Sequence, residues 1–208
     1  MRRLIAERFV EWKGKSTRKP LIIRGARQVG KTHSVTEFGR QSFANLAKLD
    51  FEKQISLRKI FDGDLSPKRL VPLIELEAGI TITPGSTLLF LDEIQLCPKA
   101  LTALRYFHED MPQLHVIAAG SLLEFEMERL SFPVGRVEFM HMFPLTFEEF
   151  LLNLGQERLQ TCRPSLSANA PVEPVVHDRL LDRLREYFAV GGMPEAVRAY
   201  VESGSLAS

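Results

Sequence analysis

Eight consecutive residues, Gly25-Ala26-Arg27-Gln28-Val29-Gly30-Lys31-Thr32, satisfy G-x-x-x-x-G-K-[ST] at every fixed position. That spacing belongs to a loop that holds phosphate. Glycine at 25 and 30 lets the backbone curl, so that successive N–H groups point inward at phosphate oxygens. A helix starting near Lys31 adds the positive end of its dipole at the same point. In such a loop Lys31 reaches the β- and γ-phosphates, and the Thr32 hydroxyl holds Mg²⁺.

A second constellation narrows the chemistry. Leu88-Leu89-Phe90-Leu91 is an apolar run that ends in Asp92-Glu93. It reads as a buried parallel strand with carboxylates at its C-terminal edge, where such sheets bind ligands. Asp92 is then the second metal ligand beside Thr32. Glu93 suits a general base for water, which favours hydrolysis over transfer to a small molecule. The plainer alternative is that both acids cap the following helix. No Asn-Lys-x-Asp run for guanine recognition is present. Leu114 to Ala119 is a further apolar strand, ending in Gly120-Ser121. Ser121 is the candidate sensor of the γ-phosphate or the attacking water, with a simple turn and helix cap as the alternative. Arg136, inside the β-prone stretch Phe132 to Met142, is a candidate for an arginine that touches the γ-phosphate, in cis or from a neighbouring subunit. The alternative is a surface arginine in a hairpin.

These residues need a scaffold, and the hydrophobic pattern supplies one. Leu21-Ile22-Ile23 reads as the strand before the phosphate loop, and another strand runs from Leu46 to Leu49, ending in Asp50. An amphipathic helix opens the chain from about Leu4 to Trp12. Ser66-Pro67 starts a helix, with Ser as cap and Pro at the first position. Pro98 opens another that carries Leu101, Leu104 and Phe107. Thr146-Phe147-Glu148-Glu149 is a capping box, and Phe147, Phe150, Leu151 and Leu154 form the apolar face of its helix. The order predicts an α/β fold of three layers around a mostly parallel central sheet, with a small helical C-terminal part. Residues 1–159 form the phosphate-loop core. The stretch 160–176, rich in Pro and Ser, reads as a linker. Residues 177–208 read as a partial helical lid, with Gly191-Gly192 ending one helix and Pro194 opening another.

Taken together, the phosphate loop, Leu91-Asp92-Glu93-Ile94-Gln95, Gly120-Ser121, Gly135-Arg136-Val137, Phe143-Pro144-Leu145-Thr146-Phe147-Glu148-Glu149-Phe150 and Gly191-Gly192-Met193-Pro194-Glu195 form a series. It resembles a large family of bacterial and archaeal AAA-type ATPases, from about Arg3 to about Ala199. The resemblance implies a P-loop fold of the additional-strand, catalytic-glutamate class, with ATP and Mg²⁺ as ligands. It also implies that Gln95 relays nucleotide state to the loop after it. Members usually continue into an uncharacterised, nuclease-like C-terminal domain, so a chain ending at Ser208 is expected to lack that domain.

Composition bounds the remainder. A formal net charge of +1 gives no global attraction to nucleic acid or anionic membrane. Lys13, Lys15, Arg18 and Lys19, and later Arg179, Arg183 and Arg185, read as solvated faces, with a phosphate backbone or a partner as the alternative. Cys97 and Cys162 have no partners at metal spacing, and the N-terminus carries no secretory pattern. These features fit the cytoplasm, without a membrane span. The leading expectation is a Mg²⁺-dependent ATPase, with a homo-oligomer or a protein partner as candidates for what its turnover depends on. The alternative is a nucleotide-gated module that binds DNA or protein with little turnover.

Overall fold

A computed structural model describes residues 1–121, 135–161 and 173–204. By its contacts the chain divides into two compact units, Ile5–Met142 and a second made of Met1–Leu4 with Phe143–Ser208. The first holds a five-stranded sheet: β1 (Leu21–Arg24), β2 (Asn45–Asp50), β3 (Thr87–Asp92), β4 (His115–Gly120) and β5 (Glu138–His141), in the order β2-β3-β4-β1-β5. Every neighbouring pair is parallel. Strand β4 is therefore inserted between β1, which leads into the phosphate loop, and β3, which ends in Asp92. All four strands expected from the apolar runs are present. The stretch around Arg136 contributes a fifth, which pairs parallel to β1 and does not form a hairpin with it.

Helices cover both faces. Side chains of a strand alternate between faces, and the two sets go to different partners. Ile22, Ala47, Leu49, Leu89, Leu91, Val116 and Ala118 pack into one core with α3 (Pro67–Ala78) and α4 (Pro98–Asp110). Leu46 and Leu88 face α2 (Lys31–Ser42) on the other side, so close that a Cβ at Gly39 would stand 2.9 Å from one Leu46 methyl. Beside α2 lies α1 (Ile5–Gly14), through Phe9 against Phe38. The helix at Pro67 forms as expected, but Ser66 does not cap it: its Oγ donates to Asp64 Oδ2 at 2.5 Å.

The second unit is helical: α5 (Phe147–Asn153), α6 (Glu157–Thr161), α7 (Pro174–Val190) and α8 (Pro194–Ser203). The capping box forms, with Glu149 N–H donating to Thr146 Oγ1 at 3.2 Å and Thr146 N–H to Glu149 Oε2 at 3.0 Å. Glu149 Oε1 also accepts from Arg3 Nε at 3.0 Å and from the Leu4 N–H at 2.9 Å, which ties the N-terminus to this unit. Phe150 is fully buried against Tyr187 and Tyr200. Most of the proposed linker, and the continuation from Leu122 after Ser121, lie outside the described residues.

Candidate functional site: a phosphate cradle at the C-terminal edge of the sheet

Parallel pairing brings the C-terminal ends of all five strands to one edge, and the predicted chemistry gathers there. Strand β1 leads into the loop and α2 leaves it at Lys31. Gly25 has φ +152° and Gly30 has φ +94°, both favoured by glycine. Gly25 is constrained twice, because a Cβ there would collide with the Met142 carbonyl oxygen. Gln28 is also left-handed, at φ 65°, so the loop stores strain of about 1–3 kcal/mol at a non-glycine position. Val29 is buried and anchors the loop, whereas Ala26, Arg27 and Gln28 face solvent.

Lys31 is buried, and its Nζ donates to the Gly25 carbonyl at 2.8 Å and the Ala26 carbonyl at 2.7 Å. Burial pushes its ammonium below the ordinary value, while the charges of Glu93 and Asp92 pull it back. Thr32 Oγ1 donates to the Asp92 carboxylate, 2.9 Å from Oδ2 and 3.1 Å from Oδ1. The hydroxyl and the carboxylate together form a set of hard oxygen donors, the kind a Mg²⁺ ion takes. The donor chemistry of the site therefore fits the metal.

Glu93 parts from Asp92. Its backbone is left-handed, with φ 52° and ψ 46°, which is uncommon for a residue with a Cβ. The turn carries its carboxylate to the end of β4, where Oε2 accepts from Gln95 Nε2 at 2.5 Å and from Ser121 Oγ at 3.4 Å. Gln95 also lies 3.4 Å from the Ser121 hydroxyl, and its own Oε1 is buried without a hydrogen-bond partner. Neither acid caps a helix by its side chain: the short turn Ile94–Leu96 and α4 both begin without a side-chain cap. The inserted β4 thus sets Ser121 between the loop and the acidic strand.

Two sequence expectations fare differently. The structure brings Lys31, Thr32, Asp92, Glu93 and Ser121 together. It does not bring Arg136, which precedes β5 and so stands at the opposite edge of the sheet, where its Nε pairs with Glu109 Oε1 at 3.1 Å. About five residues of strand separate that position from the loop, roughly 16 Å at 3.3 Å per residue, so Arg136 does not reach the phosphate cradle of its own chain. Conversely, Lys48 on β2 was not singled out, yet its Nζ lies 2.9 Å from Asp92 Oδ2. The available signal was a lysine inside an otherwise apolar parallel strand. Among the described residues no cluster of three or more His, Cys, Asp or Glu side chains forms a separate metal site. No described helix is long and apolar enough to cross a membrane.

A family model described as an AAA domain matches residues 17–151. No curated protein matches the chain. Among solved structures, the chain is similar to a chain of Drosophila ORC bound to DNA, at 18% identity and a TM-score of 0.48, covering 94% of this chain and 52% of that one. It is similar to AMPPCP-bound DnaA from Aquifex aeolicus, at 12% identity and a TM-score of 0.47, covering 95% and 58%. It is similar to C. elegans PCH-2, at 12% identity and a TM-score of 0.47, covering 98% and 62%. The chain thus spans less than two thirds of the length of each of these proteins.

Proposed function

The chain belongs to the AAA-domain family, and from that premise we propose that it binds ATP with Mg²⁺ and hydrolyses it. The observation that carries this reading is the contact between Thr32 Oγ1 and Asp92 at 2.9 Å, which joins the phosphate loop to the acidic strand. Residues 25–32 wrap the phosphates with backbone N–H groups, and Lys31 turns from the loop carbonyls to the β- and γ-phosphate oxygens. Thr32 and Asp92 hold the metal, which when bound offsets the negative charge gathered on the phosphates. Glu93 takes a proton from water, and Ser121 orients that water or the γ-phosphate. Cytoplasmic location and assembly with further copies or a protein partner belong to the same reading.

The direct test is ATP titration by calorimetry with Mg²⁺, with phosphate release followed on the same samples, for wild type and Lys31→Ala. Binding and turnover lost together in the variant are the expected result. A wild type that binds no ATP sinks the proposal. One observation favours a second reading, a nucleotide-gated binding module with little turnover: Gln95 and Ser121 both donate to Glu93 Oε2, which lowers the basicity of that carboxylate. Tight binding by wild type without phosphate release, alone and with DNA or partner added, selects that module.

A further inference from the structure

Lys48 sits in the middle of β2, in register with Phe90, and two residues before Asp50, which is in register with Asp92. Its side chain lies over the Phe90 ring, with Nζ 5.5 Å from the centroid. The same nitrogen is 2.9 Å from Asp92 Oδ2 and 3.7 Å from Asp50 Oδ2. The Asp92 side chain is only 3% exposed. A carboxylate so buried needs a cation, and Lys48 supplies one at Oδ2, the same oxygen that the Thr32 hydroxyl approaches most closely. A divalent ion held by Thr32 and Asp92 needs the same carboxylate. Two cations on one carboxylate repel each other, so each weakens the other's hold.

Asp50 gives Lys48 somewhere to go. Its Oδ1 accepts the N–H groups of Glu52 at 3.2 Å and Lys53 at 3.0 Å, which fixes the carboxylate at the end of β2. Its Oδ2 remains on the Lys48 side, and the other cation near it, Lys53 Nζ at 3.9 Å, is largely exposed and screened. Lysine is a compact charge on a flexible stem, so a small swing moves it from one acid to the other. We infer that Lys48 is a displaceable internal counter-ion of the metal site. It yields Asp92 to the divalent ion, moves to Asp50, and so sets the metal concentration at which nucleotide is held. The inference rests on the reading that Thr32 and Asp92 take a divalent cation.

The test uses the full chain with a fluorescent ADP, titrated with Mn²⁺ as the probe metal, and the Mn²⁺ electron paramagnetic resonance signal as a second readout of bound metal. Lys48→Met is expected to lower the Mn²⁺ concentration at half-effect about tenfold, the size of an ordinary coupling between two bound species. Asp50→Asn keeps the Oδ1 acceptor but removes the charge that receives Lys48. It is expected to raise that concentration severalfold when Lys48 is present, and to leave it unchanged in the Lys48→Met background. An unchanged or higher requirement in Lys48→Met overturns the inference, as does an equal Asp50→Asn shift in both backgrounds. If Lys48→Met does not fold, which a thermal melt reports, Lys48→Gln takes its place in both arms, with the same outcomes supporting or overturning the inference. Failure of wild type to bind Mn²⁺ with the nucleotide defeats the metal-site reading itself, and is seen without any variant.

Discussion

At the C-terminal edge of the central sheet Lys31, Asp92 and Ser121 are buried, and each hydrogen-bonds to a neighbour in the same small cluster. At the N-terminal edge the charged groups stand half in water and pair off: Lys15 with Glu138 at 2.6 Å and Arg136 with Glu109 at 3.1 Å. Both edges are made by the same five strands, so strand chemistry does not separate them. Direction does. Parallel strands put every βα loop at one edge, where helix N-termini and free N–H groups collect and attract anions. Buried charge is costly and persists where a converging set of partners offsets it. Exposed pairs contribute about 0–1 kcal/mol and can be lost with little effect. The contrast teaches that a site is marked less by charge than by charge kept out of water.

The largest effect expected from breaking this contrast is at Glu93. Glu93→Gln retains the shape of the side chain and a hydrogen-bonding oxygen but cannot accept a proton. Turnover should fall by about 10²–10⁴-fold, with ATP affinity held within a few fold. Calorimetry and phosphate release on the same sample separate the two. Normal hydrolysis by the variant removes Glu93 from the chemistry.

Next in size is Gly25→Ala. The new methyl would meet the Met142 carbonyl oxygen, and the residue would have to hold φ +152°. A loss of about 2–4 kcal/mol of stability is expected, or a shifted loop that no longer binds nucleotide. Denaturant unfolding read beside ATP titration shows which. A variant with wild-type stability and affinity would mean that the close approach of the loop to Met142 is not needed.

How much of this was visible before the structure follows from how local each feature is. The phosphate loop was legible because its chemistry needs contiguous residues. Asp92 was legible because a short apolar run ending in an acid, downstream of a phosphate loop, fits a buried strand with a carboxylate at its tip. The inserted strand was visible as the Leu114–Ala119 run, though not its place between β1 and β3. Lys48 was visible only as a lysine in an apolar strand, and its partner was not legible, because the contact with Asp92 depends on how β2 pairs with β3, a strand distant in sequence. Arg136 was misplaced for a related reason. A β-prone segment says nothing of which way it runs, and pairing parallel to β1 puts its start at the far edge. The Ser66 cap did not form although its residue type and the following Pro67 fit the pattern, because a cap needs the hydroxyl aimed at the helix N–H groups and here it is aimed at Asp64.

Among the described residues the N-terminal edge holds one buried ionisable group, His115, and it tests the contrast from the other side. His115 opens β4 and lies edge-on to Trp12 and Phe43, with Nδ1 lacking a hydrogen-bond partner. Burial, helped by the Arg18 charge, pushes it down from 6.5 to about 4. The sign follows from which state protonates first. As pH falls below the ordinary histidine value the unfolded chain takes the proton and the native one does not, so stability declines towards pH 4 and this contribution then levels off. Between about pH 7 and pH 5 it amounts to about 2 kcal/mol. His115→Phe, which fits an aromatic setting, should flatten the decline by that amount in urea unfolding at the two pH values. Parallel curves for the two proteins would show that His115 takes up its proton as readily in the fold as in the unfolded chain.

The smallest expected effect is the most informative about the edge as a whole. Arg136→Ala removes a half-exposed guanidinium whose partner, Glu109, also pairs with Arg105 at 3.1 Å. Glu109 therefore keeps a cation when Arg136 is lost. Stability should change by no more than about 0.5 kcal/mol, and ATP affinity and turnover should stay within about twofold. Measuring turnover over a range of protein concentrations makes the result decisive. An arginine that acts across a subunit boundary contributes only in the assembled form, and its loss there costs about 10³–10⁵-fold in rate with affinity retained. A drop of that kind, growing with concentration, would make the exposed edge of one copy part of the site of the next, and exposure would then no longer separate the two edges. A flat profile leaves Arg136 as one half of a surface pair.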